Sequence, residues 1–128
     1  MNPRLIRRIV FGYTVDSFPG MLILGQHQLK RKIERAGFDI LVTFLPLDDL
    51  PSDTDILFVL PALEQMARRA VPDSIVYVVE DFVNNPEYDQ VIEKLLVGTD
   101  WTAKQLSDRP PEDEGGEIVR YRGYERLE

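Results

Sequence analysis

The sequence predicts one α/β domain over residues 1–106, a four-stranded parallel sheet between two layers of helix in a Rossmann-like or flavodoxin-like topology. Three observations predict it. Short, nearly continuous apolar runs alternate with segments of helical spacing, which is the pattern of strands buried on both faces. Proline and glycine punctuate the joins between them. A length of 128 residues is that of one ordinary domain, and 44% apolar content is enough for one packed core.

The elements follow in order. Ile9 to Val15 is rich in β-branched and aromatic residues and reads as the first strand. Asp16 to Gly20 breaks it, and a helix is expected from Pro19 to Ala36, with Pro19 in its first turn and Ser17 as its cap. Leu22, Gly25, Leu29, Ile33 and Ala36 give that helix an inward face, Lys30, Arg31, Lys32, Glu34 and Arg35 an outward one, and Gly37 stops it. Ile40 to Leu45 is a second strand closed by Pro46, and Asp48 to Pro51 a turn or single helical turn. Asp55 to Leu60 is a third strand. Pro61 opens a short helix with Leu63, Met66, Ala67 and Ala70 inward, and Ser74 to Val79 is the fourth strand. Asn85-Pro86 pairs a cap with proline at the first helical position, and Tyr88, Val91, Ile92, Leu95 and Leu96 form the buried stripe of a last helix ended by Gly98. Residues 107–128, with Pro110-Pro111, the acidic run Glu112-Asp113-Glu114 and Gly115-Gly116, read as a linker and tail able to add a strand.

Composition excludes several functions. A net charge of −7 argues against nucleic acid and against anionic lipid. No apolar run is long enough to span a bilayer, and the basic start is not followed by a signal-peptide core, so a cytoplasmic protein without membrane insertion is expected. With no cysteine there is no disulfide, thiolate metal site or thiol nucleophile. One histidine, His27, rules out any arrangement needing two. No cofactor or metal is expected.

Four segments stand in a fixed order, Leu29 to Gly37, Leu50 to Asp55, Leu63 to Pro72, and Asp81-Phe82 with Asn85 to Asp89, and together they resemble the mannitol-type IIB (EIIB) domain of the bacterial phosphoenolpyruvate-dependent sugar phosphotransferase system. Leu29 to Gly37 is similar to that family's Leu-Arg-Lys-Lys-(Ile/Leu)-x-x-Ala-Gly. Leu50-Pro51-Ser52-Asp53-Thr54-Asp55 is similar to its Leu-Pro-x-Asp-x-Asp, Leu63 to Pro72 keeps the spacing of Leu-Thr-x-Arg-Ala-x-x-x-x-Pro, and Asp81-Phe82 with Asn85 to Asp89 resembles Asn-Phe-Leu-x-Ser-Pro-x-Tyr-x. The resemblance covers roughly Ile9 to Leu96. It implies a domain whose first turn, Cys-Asp-x-Gly-x-Gly-Ser-Ser, takes a phosphoryl group on the thiolate, cradled by backbone N–H groups and a helix N-terminus.

Counted back from Ala36-Gly37, the cysteine position falls on Val15. Asp16 matches the Asp and Gly20 the second Gly, while the first Gly falls on Phe18 and the two Ser on Met21 and Leu22. Valine offers nothing to attack, and Pro19 removes an amide donor. Phe18 adds bulk where backbone should approach an anion. A phosphoryl group there would lose several charge-assisted hydrogen bonds, each worth about 1.5–3 kcal/mol. The resemblance therefore implies a degenerate loop, Val15 to Met21, on a retained scaffold, with no catalytic residue.

Other groups are weighed against plainer roles. Asp16 as an aspartyl-phosphate acceptor would need neighbouring carboxylates for magnesium, and loop ordering is the simpler reading. Ser17 has no visible base. His27, between Gln26 and Gln28, reads as a surface residue. Glu80 and Asp81 are better caps than catalysts. The function expected is a non-catalytic binding or regulatory module whose partner, another protein or a second copy, docks at the loop edge through Asp16, Phe18, Pro19, Met21 and Leu60. The alternatives are a phosphocarrier using Asp16, Ser17 or His27, and a small-molecule binder at the loop.

Overall fold

The structure, a computed structural model, describes residues 2–106; the expected linker and tail lie outside them. In chain order the elements are β1 (Arg4–Leu5), β2 (Arg8–Tyr13), α1 (Leu22–Arg35), β3 (Leu41–Pro46), β4 (Ile56–Val59), α2 (Glu64–Ala70), β5 (Ile75–Val78), α3 (Pro86–Val97) and β6 (Trp101–Thr102). Single 3-10 turns, Leu47–Asp49 and Pro61–Leu63, follow β3 and precede α2. Four strands form the expected parallel sheet in the order β3-β2-β4-β5. β1 and β6 make a separate two-residue parallel ladder that the sequence did not announce, since two residues carry no periodicity.

Alternation along β2 sorts the core. Ile9 and Phe11 face α1 and α3 in the larger cluster, with Leu22, Leu29, Ile33, Phe58, Phe82, Tyr88 and Val91. Val10 faces the smaller cluster with Leu47, Leu57, Val59, Ala67 and Val71 beneath α2. These are the three layers expected. Glycine is required by packing at one position. On Gly25 a Cβ would overlap the Phe82 carbonyl, so only glycine lets α1 settle this close to the chain that follows β5.

Several expectations need correction. β2 ends at Tyr13 rather than Val15, because Thr14 to Ser17 closes into a turn. α1 begins at Leu22 rather than Pro19. Pro19 instead offers its carbonyl to the Leu22 N–H, Met21 precedes the helix, and Ser17 is held by Thr14, so it caps nothing. Met66 and Ala70 are exposed, because α2 is seven residues long behind a 3-10 turn and buries only Ala67. Leu96 is exposed too, standing about 100° round the helix from Leu95, which takes the inward place. The Asn85 cap is as expected, its side chain accepting from the Glu87 N–H with Pro86 next.

The N-terminal edge of the sheet is densely bonded. Asp55, its side chain 6% exposed, accepts from the amides of Arg7 (2.7 Å) and Arg8 (3.2 Å) and from the Arg4 guanidinium (3.3 Å). The Thr54 hydroxyl donates to the Pro51 carbonyl, and Ser74 donates to Thr54. Arg8 Nε stands 3.1 Å from Asp53, an ion pair without hydrogen-bond alignment. The Leu-Pro-x-Asp-x-Asp stretch thus ties three chain segments together and does structural work.

Candidate functional site

Order β3-β2-β4 puts the strands that follow β2 in sequence on either side of it, so the C-terminal ends of β2 and β4 flank a crevice of the kind that holds ligands in open parallel sheets. The loop from Tyr13 to Met21 lies there. It opens with a tight turn in which the Ser17 N–H donates to the Thr14 carbonyl (3.0 Å), leaving Val15 and Asp16 at the tip. Val15 is 72% exposed. The chain then folds Phe18 back edge-on to Tyr13, with ring centres 4.7 Å apart, and toward Phe44 at 5.9 Å. Phe18 stays 42% exposed and Met21 56%.

No side chain caps α1, and no acidic residue stands in its first turn. Gly20 has open space where a Cβ would go and no left-handed φ, so nothing in the fold calls for glycine there. Beside the turn is a crevice of about 180 Å³ lined by Thr14, Val15, Asp16, Leu47, Asp48 and Met66. Its charged groups are two carboxylates. It contains no lysine, arginine or amide side chain, so its lining repels an anion.

The remaining residues separate. Leu60 is half-buried against the main core and Leu22 fully buried. Pro19 is half-buried, and Asp16 and Ser17 are exposed. His27 is exposed on α1 and lines a different groove, with Lys30, Arg31 and Glu34. Asp81 does cap: its carboxylate accepts from the Val83 N–H (3.2 Å), while its carbonyl accepts from the Asn85 side chain (2.7 Å). Glu80, Asp81 and Glu87 line a wider acidic cleft at the end of β5. Among the described residues no group of three histidines or acids is placed to hold a metal, and no helix is long and apolar enough to cross a membrane.

Two supports were not foreseen. Gln28 accepts from the Asn84 N–H (2.7 Å) and donates to its side chain (3.1 Å), joining α1 to the β5–α3 loop. Asn84 is the one non-glycine described residue with positive φ (57°), a conformation asparagine tolerates. Tyr88 donates to the Phe82 carbonyl (2.5 Å), under the same chain that Gly25 approaches. Burial, then the charges of Asp81 and Glu87, push the Tyr88 phenol well above its usual range.

The matches to known proteins point one way. Over 95 residues the chain is 34% identical to the PTS system mannitol-specific EIICB component of Bacillus subtilis (strain 168), a stretch covering 74% of this chain and 20% of that protein. The same-named protein of Geobacillus stearothermophilus is 34% identical over 93 residues, 73% and 19% of the two chains. The chain is a relative of the mannitol-specific EIICB components. It spans about a fifth of the length of these curated relatives. No family model matches it. Its four-stranded parallel sheet and three helices agree with an EIIB-type domain. Within that EIIB-type frame, the turn after the first sheet strand is the segment Thr14 to Ser17 described above.

Proposed function

We propose that this EIIB-like domain docks a protein through the edge formed by Val15, Asp16, Phe18, Pro19, Met21 and Leu60, and takes no part in relaying phosphate. One observation carries the reading. The position that the resemblance gives to the phosphoacceptor is Val15, exposed at the tip of a closed turn beside a crevice whose charges are Asp16 and Asp48. A phosphoryl group there would meet a hydrocarbon where it needs a nucleophile and carboxylates where it needs donors. Phe18 and Met21, both partly exposed on that loop, are side-chain types enriched at protein interfaces.

The crevice is smaller than the roughly 300 Å³ at which small-molecule pockets begin, which disfavours a ligand held at the loop. Incubation of the full chain with a phosphorylated histidine carrier, followed by intact mass, tests the reading. No gain is expected. Addition of one phosphoryl group, to Asp16, Ser17 or His27, would instead make the protein a carrier. Capture of a partner that is lost in the Phe18→Ser, Met21→Ser variant supports the docking edge.

A further inference from the structure

We propose that the protein taken up at the loop edge is a second copy of this chain, which presents the basic groove of its α1 to that edge. The inference deepens the docking reading and rests on it. It starts from how charge is distributed along the strands. In a parallel sheet every strand ends on the same side, so the segments that leave β2, β3, β4 and β5 share one end of the molecule. Those segments, residues 14–21, 47–49, 60–63 and 79–87, hold six carboxylates and no lysine, arginine or histidine. The carboxylates are Asp16, Asp48, Asp49, Glu80, Asp81 and Glu87, and none of them is in an ion pair among the described residues.

α1 joins two parallel neighbours, so it runs from that end of the sheet back to the other. Its later turns carry Lys30, Arg31 and Arg35, all exposed and without an ion pair among the described residues. His27, Lys30, Arg31 and Glu34 line a groove of about 230 Å³ on its outer side, and Glu34 is the one carboxylate in that lining. At about 1.5 Å per residue, Arg31 and Arg35 lie roughly 14 and 20 Å along the helix from Leu22. The acidic end and the basic turns of one molecule are therefore too far apart to pair with each other. Between two molecules they can meet. Net charge −7 repels copies at long range, but at 0.15 M salt the screening length is about 8 Å, which damps that repulsion and keeps pairs in contact. The apolar groups match too. Phe18 and Met21 stand partly exposed among the carboxylates, and the aliphatic stems of Lys30 and Arg31, with exposed Leu24 on the same side of α1, give them cover. Because the two surfaces differ, each copy offers one edge and one groove, and the contact is head to tail.

Sedimentation velocity on the full chain over a concentration series tests this. In about 0.15 M salt the average mass should rise above one chain as concentration increases, and in about 1 M salt, where the screening length is about 3 Å, it should return to one chain. Phe18→Ser with Met21→Ser spoils the edge, and Lys30→Glu with Arg31→Glu spoils the groove. Each variant alone should be monomeric, with an unchanged Tm showing that it is folded. An equal mixture of the two should give particles of two chains and no larger, since one intact edge meets one intact groove. A parent chain that stays monomeric in about 0.15 M salt would overturn the inference, as would assembly indifferent to salt or a variant mixture that stays monomeric. A monomeric parent that still captures another protein, with capture lost in Phe18→Ser, Met21→Ser, overturns the second copy and leaves the docking reading in place. Neither assembly nor capture would overturn both.

Discussion

The two ends of the same sheet are built differently. At the N-terminal edge Asp55 accepts from two amides and a guanidinium, and Thr54 and Ser74 close the turns around it. At the C-terminal edge the Thr14 to Met21 loop is held by three backbone hydrogen bonds and ring contacts, with Val15 and Met21 largely exposed and Phe18 partly so. The first edge holds the Leu50 to Asp55 stretch that resembles the EIIB-type Leu-Pro-x-Asp-x-Asp, and the second is the loop that the proposed function reads as a departure from that pattern. Hydrogen bonding that ties the fold together therefore sits at one end of the sheet, and the exposed residues of the proposed docking edge at the other.

Substitutions test that division. Asp55→Ala removes a buried acceptor from two amides and Arg4 and should cost about 3 kcal/mol, read as a lower urea midpoint with unchanged slope. A cost near zero would erase the contrast between the edges. Gly25→Ala forces a Cβ into the Phe82 carbonyl and should cost about 1–3 kcal/mol, with a lowered Tm.

Tyr88→Phe should cost about 1 kcal/mol by removing the bond to Phe82. The pH dependence sharpens this one. The folded phenol holds its proton more tightly than the unfolded one, so its contribution is complete below about pH 10 and declines as pH rises beyond that. Stability of Tyr88→Phe should accordingly fall less steeply on the alkaline side. Smallest of all, Val15→Ser and Met21→Ser should each change stability by less than about 0.5 kcal/mol in the same denaturation assay, since both side chains are exposed.

Much of the fold was legible because it is written in apolar runs and spacing. β2, β4 and the inward face of α1 lie where Ile9 to Phe11, Ile56 to Val59 and Leu22, Leu29 and Ile33 placed them. What escaped was set by tertiary context. Gln26 is buried because its amide donates to the Val42 carbonyl on the outer side of the edge strand β3 (2.6 Å), which no periodicity reveals. Asp55 looked like the first residue of a strand, and its role depends on Arg4, some fifty positions away. At the candidate site the residue types were readable, Val15, Phe18 and Pro19 above all. Leu47 and Asp48, from the 3-10 turn after β3, and Met66, from α2, complete the crevice and needed the fold to bring them in.

The central claim concerns what the crevice beside Val15 does to an anion. Titrating the isotope-labelled full chain with inorganic phosphate while following amides 14–23 measures it directly. The account predicts no saturable shift at those amides. Saturable shifts converging on Val15 to Gly20 would show a working anion cradle and contradict it.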